Sequence, residues 1–306
     1  FIENKIFHVV LSGGEPFSNF KILTHGLKRL REANITTSCN SNLSLATPDR
    51  IKELVDCGLD HILASWYTND SESSAAITNV TDSYDMVKKG IEVAVNNGMR
   101  VSVNTVVTQS NKNEVYKSGK KIAELGAFQF LAYRAIPPVQ ERGQINPTHV
   151  ISKEEALTSL DELLLLKSEY GLQVGTLISY PLCLLGDLDK YSDFIGRGCP
   201  SQSGHRFSIH PDGTSNTCVM EDVNYGNIYE VGLKKAYDRN SEKWQNYSYI
   251  NEICKKCSYV DICQAGCRMD ALAHTGYMDG ADPLMVGEEG IKNEIKYLPP
   301  QEIMDK

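Results

Sequence analysis

The sequence predicts an α/β fold built on parallel strands and followed by a small, irregular, cysteine-rich domain. Three observations carry that expectation. Short β-branched or apolar runs recur through the first 180 residues, each is followed by a stretch of helical periodicity, and seven of the nine cysteines fall between Cys183 and Cys267. Alternating strand and helix is the pattern that buries a parallel sheet beneath helices. The shift in cysteine content near residue 180 divides the chain into expected domains of 1–180 and 181–306.

Strands are expected at Ile6–Leu11, Ile35–Ser38, His61–Trp66, Val101–Val107 and Phe128–Tyr133. The helix between Pro48 and Cys57 shows the local logic. Thr47 can cap it, Pro48 fits its first turn, Ile51, Leu54 and Val55 form one apolar face, and Gly58 ends it. Further helices run from about Tyr84 to Asn97 and from about Asn113 to Leu125, stopped by Gly98 and Gly126. A last one opens with the capping-box spacing of Ser152 and Glu155, carries a leucine-rich face and ends at Gly171.

Composition excludes several classes. A net charge of −8 and the lack of a basic stripe interleaved with aromatics argue against nucleic acid as partner. Apolar runs such as Leu163–Leu166 fall far short of the roughly 20 residues that span a membrane. The N-terminus lacks a basic-then-apolar signal pattern, so a cytoplasmic location is expected. Nine cysteines in 306 residues are too dilute for a disulfide-stapled scaffold, which turns attention to metal binding or catalysis.

Parallel strands wrapped by helices place binding loops at the strand C-terminal ends. After the first strand comes Ser12-Gly13-Gly14-Glu15-Pro16, whose paired glycines let backbone approach a ligand and whose carboxylate or carbonyls can accept from an ammonium group. The plain alternative is a strand-to-helix turn. The next strand ends in Cys39-Asn40-Ser41-Asn42, the third in Ser65, and the fourth carries Asn104 and Thr105. Neutral hydrogen-bonding side chains at successive strand ends suit a polar uncharged group such as a ribose, although each alone also suits capping.

In the cysteine-rich part, Cys199, thirteen residues, Gly213, four residues and Cys218 form a first element. Cys254-x2-Cys257-x5-Cys263-x3-Cys267 forms a second. A two-residue gap lets two thiolates converge on one iron-sulfur or zinc site, with further thiolates arriving from neighbouring loops. Tandem zinc sites favour repeated short pairs, whereas here one pair meets singletons, so iron-sulfur clusters are expected and zinc is the alternative. Phe207 to Thr214 alternates and turns at Asp212-Gly213, which reads as a hairpin bringing Cys199 and Cys218 together at its base. His205 and His210 are either ligands or solvent-facing turn residues. Cys39 and Cys57 are isolated, and Cys57 reads as a small core residue.

With these residues in place, the chain resembles the radical S-adenosylmethionine (SAM) enzymes that carry a C-terminal SPASM domain. The resemblance rests on Gly13-Gly14-Glu15-Pro16, Asn42, Ser65, the fragment Val103-Asn104-Thr105-Val106-Val107, and six of the seven cysteines of the SPASM pattern. It implies a partial (β/α)6 barrel lacking its first strand; the family's catalytic C-x3-C-x2-C triad precedes the Gly-Gly-Glu-Pro segment and is missing from this sequence, so a fragment of a longer enzyme is expected, with a remnant that lacks radical chemistry as the alternative. It also implies SAM contacts from Gly13, Gly14, Glu15, Pro16, Asn42, Ser65 and Asn104. Two auxiliary 4Fe-4S clusters are implied, in addition to the catalytic one. Cys199, Cys218 and Cys267, with Cys183 as a fourth, would hold the first, and Cys254, Cys257 and Cys263 the second.

The pattern's final cysteine is absent, since the chain reads Asp282-Pro283-Leu284-Met285 where the family often has Asp-Pro-x-Cys. A thioether is a weaker ligand than a thiolate, so an open iron or an oxygen ligand such as Asp282 is expected at the second cluster. By the resemblance, a 5'-deoxyadenosyl radical abstracts hydrogen from the substrate while the auxiliary clusters accept an electron or anchor the substrate. A ribosomally made precursor peptide is the expected substrate and a small redox protein the electron donor. Porphyrin or small-cofactor modification stands as an alternative within the enzyme class, and a non-catalytic iron-sulfur electron carrier as one outside it. Sulfatase maturation fits less well, because Val219 follows Cys218 where those members carry an aspartate.

Overall fold

A computed structural model of the chain describes residues 1–138, 141–196, 198–246 and 248–293. They fold as two compact units. The first comprises Phe1–Ala135 and Thr158–Leu177. Its elements run β1 (His8–Leu11), α1 (Phe20–Glu32), β2 (Thr36–Ser41), α2 (Pro48–Asp56), β3 (His61–Ser65), α3 (Ser71–Thr78), α4 (Ser83–Asn96), β4 (Val101–Val107), α5 (Val115–Glu124), β5 (Gln129–Arg134), α6 (Lys153–Tyr170) and β6 (Gln173–Gly175). The first residues of α6 belong to the second unit.

All six strands pair in parallel in the order β1-β2-β3-β4-β5-β6. The five strands expected from apolar runs are present, together with β6, whose three residues are too few to show a period. Helix α3 was not legible either, because Ser71-Glu72-Ser73-Ser74 carries no apolar stripe. Asp70 starts that helix by accepting the Ser73 N–H at 2.7 Å. Thr47 caps α2 as expected, its hydroxyl accepting from the Arg50 N–H at 3.3 Å.

The core of this unit lies between sheet and helices. Ile62 and Phe130 from strands and Leu27, Ile51, Leu54, Ile91 and Ile122 from helices are fully buried. Sequential pairing sets the register that matters for function. Leu11 lies opposite Cys39, Ser41 opposite Ala64, and Ser65 opposite Asn104, so the C-terminal ends of β1 to β4 share one edge.

The second unit comprises Ile136–Leu157 and the chain from Ile178 onward. Residues 136–157, which the sequence reading left in the first domain, group here for a physical reason. The Gly143 N–H donates to the Ala273 carbonyl at 3.1 Å, and Lys153 Nζ donates to the Met285 carbonyl at 3.0 Å. The other elements are α7 (Leu182–Leu185), β7 (Ser208–Ile209), β8 (Ser215–Asn216), α8 (Ile228–Val231), α9 (Leu233–Trp244), α10 (Val260–Cys263) and α11 (Arg268–Thr275). The expected hairpin forms from β7 and β8, with Asp212 accepting the Thr214 N–H in its turn at 2.9 Å.

So little regular structure leaves few backbone ladders, and a compact apolar cluster of Ile136, Tyr225, Trp244 and Met269 anchors this unit instead. Trp244 satisfies its indole N–H on the Tyr225 hydroxyl at 3.2 Å and on Glu221 Oε1 at 3.3 Å. Burial raises the Glu221 carboxyl above the ordinary range, and burial together with the Glu221 hydrogen bond raises the Tyr225 phenol.

Helix α4 approaches the turn after β2 closely enough to need a glycine. A Cβ on Gly90 would stand 2.1 Å from the Leu43 carbonyl oxygen. Gly90→Ala should therefore lower stability by about 1–3 kcal/mol, the usual range for overpacking. A downward shift of the urea midpoint with an unchanged slope checks this.

Candidate functional site

At the strand edge of the first unit, the chain leaves β1 through Gly13 and Gly14 at φ of +104° and +50°. Nothing lies within 4 Å of where a Cβ would sit on either residue. The turn is thus glycine-built on an open side, where a ligand can come against bare backbone. Glu15 holds this turn to β2. Its Oε1 accepts the Ser41 hydroxyl at 2.7 Å and the Phe17 N–H at 3.0 Å, and its Oε2 accepts the Asn42 N–H at 2.9 Å.

With both carboxylate oxygens occupied, Glu15 braces the turn, and the open side of that turn is bare glycine backbone. Pro16 starts the short 3-10 turn that follows. Asn42 spends its side-chain oxygen on the Ser44 N–H at 2.9 Å, which points its amide NH2 to other partners. Ser65 ends β3, and two residues on the Tyr67 phenol is raised mainly by burial. Asn104 donates to the Tyr133 hydroxyl at 3.3 Å. Ser41 and Tyr67 are members of this edge that the sequence reading did not select. Ser41 was in the quoted tetrapeptide but carried no signal that Glu15 would reach it.

The second unit sorts the seven remaining cysteines into two groups. Cys199, Cys218 and Cys267 pack on the Ile136, Tyr225, Trp244 and Met269 cluster. Burial raises the Cys218 thiol to about 11, with the neighbouring Cys199 adding to the effect. Cys183, Cys254, Cys257 and Cys263 line a separate cavity of about 340 Å³, together with Met285, Leu182, Ile253 and Val260. Burial likewise raises Cys254 to about 11, and raises Cys257 and Cys263 above the ordinary thiol range.

Two sequence expectations are corrected. Cys183 is found in the Cys254 group rather than with Cys199, because α7 lies against the segment around Met285. Asp282 does not face that cavity as an oxygen donor. It is buried, its Oδ2 accepts the Cys267 N–H at 2.8 Å and its Oδ1 the Leu284 N–H at 2.9 Å. His205 and His210 are exposed, in keeping with the turn reading.

The two groups are divided at one turn. Gln264, Ala265 and Gly266 adopt successive φ of +52°, +59° and +75°, which send Cys263 and Cys267 to different sites. Left-handed backbone costs roughly 1–2 kcal/mol at a non-glycine residue, so surrounding bonds must over-determine it. Gln264 Oε1 accepts the Cys199 N–H at 2.8 Å, its carbonyl accepts from Gln202 at 2.9 Å, and the Ala265 carbonyl accepts from Arg268. Gly266 leaves room for Asp282, whose Oδ2 is 2.4 Å from where a Cβ would stand.

The donor set suits an inorganic cluster. Among the described residues no three His, Cys, Asp or Glu side chains converge on a single-ion centre. A zinc ion draws its thiolates to about 2.3 Å from one point, whereas a 4Fe-4S core takes one thiolate at each iron and needs a cavity between them. Four thiols around a mainly apolar cavity fit the second demand.

Residues 1–118 match the family model of the radical SAM superfamily. That stretch, rather more than a third of the chain, is what this protein shares with the superfamily model. Relatives extend over most of the chain at low identity. An AdoMet-dependent heme synthase of Methanosarcina barkeri is 23% identical over 302 residues, covering 93% of this chain and 83% of the relative. A PqqA peptide cyclase of Methylocella silvestris is 23% identical over 296 residues, covering 91% and 74%. Among solved structures, anSMEcpe with bound AdoMet superposes with a TM-score of 0.68 at 19% identity, covering 90% of this chain and 76% of that one. Streptococcus suis SuiB bound to its precursor peptide SuiA gives 0.67 at 17% identity, covering 92% and 65%. These likenesses show the α/β fold with its parallel six-stranded sheet, as the alternation of strand and helix predicted. No helix among the described residues is long and apolar enough to cross a membrane.

Two outcomes test this geometry. Gly266→Ala should cost at least the 1–3 kcal/mol usual for overpacking, because the added methyl meets Asp282 at positive φ; thermal melts of the two proteins measure it. Cys39, fully buried and raised to about 12 by burial and the Glu15 charge, should resist iodoacetamide at pH 8.5 in the folded chain and react in urea. Peptide mass mapping reads both states.

Proposed function

We propose that this chain is a radical SAM enzyme that matures a ribosomally synthesised precursor peptide, binding SAM at the strand edge of its first unit and two auxiliary 4Fe-4S clusters in its second. The observation that carries this reading is the occurrence in one chain of the Gly13-Gly14-Glu15 cradle and two separate cysteine groups. The peptide cyclase relative and the likeness to a peptide-bound SuiB structure support a peptide as substrate. The heme synthase relative keeps porphyrin modification as the second reading.

The Gly13 and Gly14 carbonyls would accept from the SAM ammonium group, with Glu15 fixing the turn that aims them and Pro16 limiting its freedom. Asn42, Ser65 and Asn104 would meet the polar remainder of SAM, since their amide and hydroxyl groups suit hydroxyls and carboxylate alike. Bound SAM and the catalytic cluster together supply a 5'-deoxyadenosyl radical that removes a hydrogen atom from the substrate. In the second unit the seven cysteines are partly exposed, and Arg268 places a fully buried guanidinium directly after Cys267. Its Nη1 donates to the carbonyls of Met278 and Gly280 at 3.1 and 2.8 Å. A positive group there offsets the negative charge that thiolate-bound clusters bring. A small redox protein is the proposed electron donor.

The full-length protein, reconstituted anaerobically, should bind about twelve irons at four per cluster and release 5'-deoxyadenosine faster when its precursor peptide is added, with the peptide losing hydrogens by mass. SAM cleavage stimulated by a porphyrin and not by peptide would overturn the substrate assignment. Glu15→Ala leaves the Ser41 and Asn42 donors without their acceptor, at about 1–3 kcal/mol per buried group. It should weaken SAM binding roughly tenfold or more, as read by equilibrium dialysis, while iron content in the second unit stays unchanged.

A further inference from the structure

We propose that Cys183 is the fourth thiolate ligand of the second auxiliary cluster, so that Cys183, Cys254, Cys257 and Cys263 hold it and Met285 does not. The inference rests on the cluster reading above and moves to the second cluster a ligand that the family resemblance assigned to the first. Its basis is shared placement. Those four cysteines line one cavity, whereas Cys199, Cys218 and Cys267 pack on a different apolar cluster.

Local bonding fixes Cys183 at that cavity. The Val286 N–H donates to Cys183 Sγ at 3.4 Å, and the Leu182 N–H donates to Cys263 Sγ at 3.4 Å. Adjacent residues of α7 thus engage both the segment after Met285 and the end of α10. N–H donors directed at sulfur are also the groups that stabilise a thiolate and set a cluster's potential. The chain beyond Met285 clamps α7 from the other side. The Lys292 N–H donates to the Gly186 carbonyl at 2.9 Å, and Gly290 comes so close that a Cβ there would be 2.5 Å from the Cys183 carbonyl oxygen.

Met285 reaches the same cavity, with its Sδ 3.3 Å from Cys254 Sγ. A thioether carries no charge and is a poor donor to iron beside a thiolate. Cys183 is the stronger ligand available in the ring of residues that lines the cavity. Ligation to iron releases the Cys183 thiol proton to solvent. Met285 then serves as apolar cover over Cys254.

Differential alkylation of the anaerobically reconstituted full-length protein tests this, with iodoacetamide as probe and peptide mass mapping as readout. In the wild type all seven cysteines from Cys183 to Cys267 should be protected. Cys257→Ser should expose Cys183, Cys254 and Cys263 and leave Cys199, Cys218 and Cys267 protected. Cys218→Ser should expose Cys199 and Cys267 and leave Cys183 protected. Cys183→Ser should leave the remaining second-group cluster prone to losing iron, read as a 3Fe-4S electron paramagnetic resonance signal after mild oxidation, and Met285→Ala should give no such signal. Alkylation of Cys183 alone in the wild type, its exposure by Cys218→Ser, or exposure of every cysteine by either substitution would overturn the assignment. Alkylation of Cys254, Cys257 and Cys263 in the wild type would instead defeat the cluster reading itself.

Discussion

The second unit depends on the left-handed turn Gln264-Ala265-Gly266. Only three residues separate Cys263 from Cys267, yet their side chains serve different groups. A continued helix would keep residues four apart on one face. The chain avoids that outcome by ending α10 after Cys263 and reversing through three positive φ values. Gln264, Arg268 and Asp282 hold the reversal in place, and each also bonds to backbone bearing a cysteine or a neighbouring loop. The backbone strain is thus located where two sites must be kept apart, and buried polar side chains stabilise it.

The first unit solves a simpler problem with regular structure. Six parallel strands in sequential order bring their C-terminal ends to one edge, and Glu15 ties the first turn to the end of β2. The carboxylate works through geometry: three donors engage both its oxygens, and the open side of the turn is glycine backbone.

How much of this was legible follows from period and length. Runs of β-branched residues and helices with glycine stops marked five strands and most helices of the first unit, because each element is long enough to show its repeat. Strand β6 and helix α3 were not, one being three residues long and the other polar along its start. In the second unit the C-x2-C-x5-C-x3-C spacing pointed to ligands, and the family resemblance divided six cysteines as the structure groups them but put Cys183 in the other group. Spacing reports distance along the chain, whereas the placement of Cys183 depends on contacts of α7 with residues more than a hundred positions later. Asp282 shows the same limit, since its sequence neighbours suggested a ligand and its bonds to Cys267 and Leu284 make it a brace.

The division of seven cysteines into groups of three and four is the central claim, and it joins the strained turn, the buried brace and the proposed chemistry in one arrangement. Anomalous diffraction at the iron edge from anaerobic crystals of the reconstituted protein tests it most directly. The account predicts two separate iron peaks in the second unit, one bounded by Cys199, Cys218 and Cys267 and the other by Cys183, Cys254, Cys257 and Cys263. A single peak, or a second peak with Cys183 turned away from it, would contradict the account.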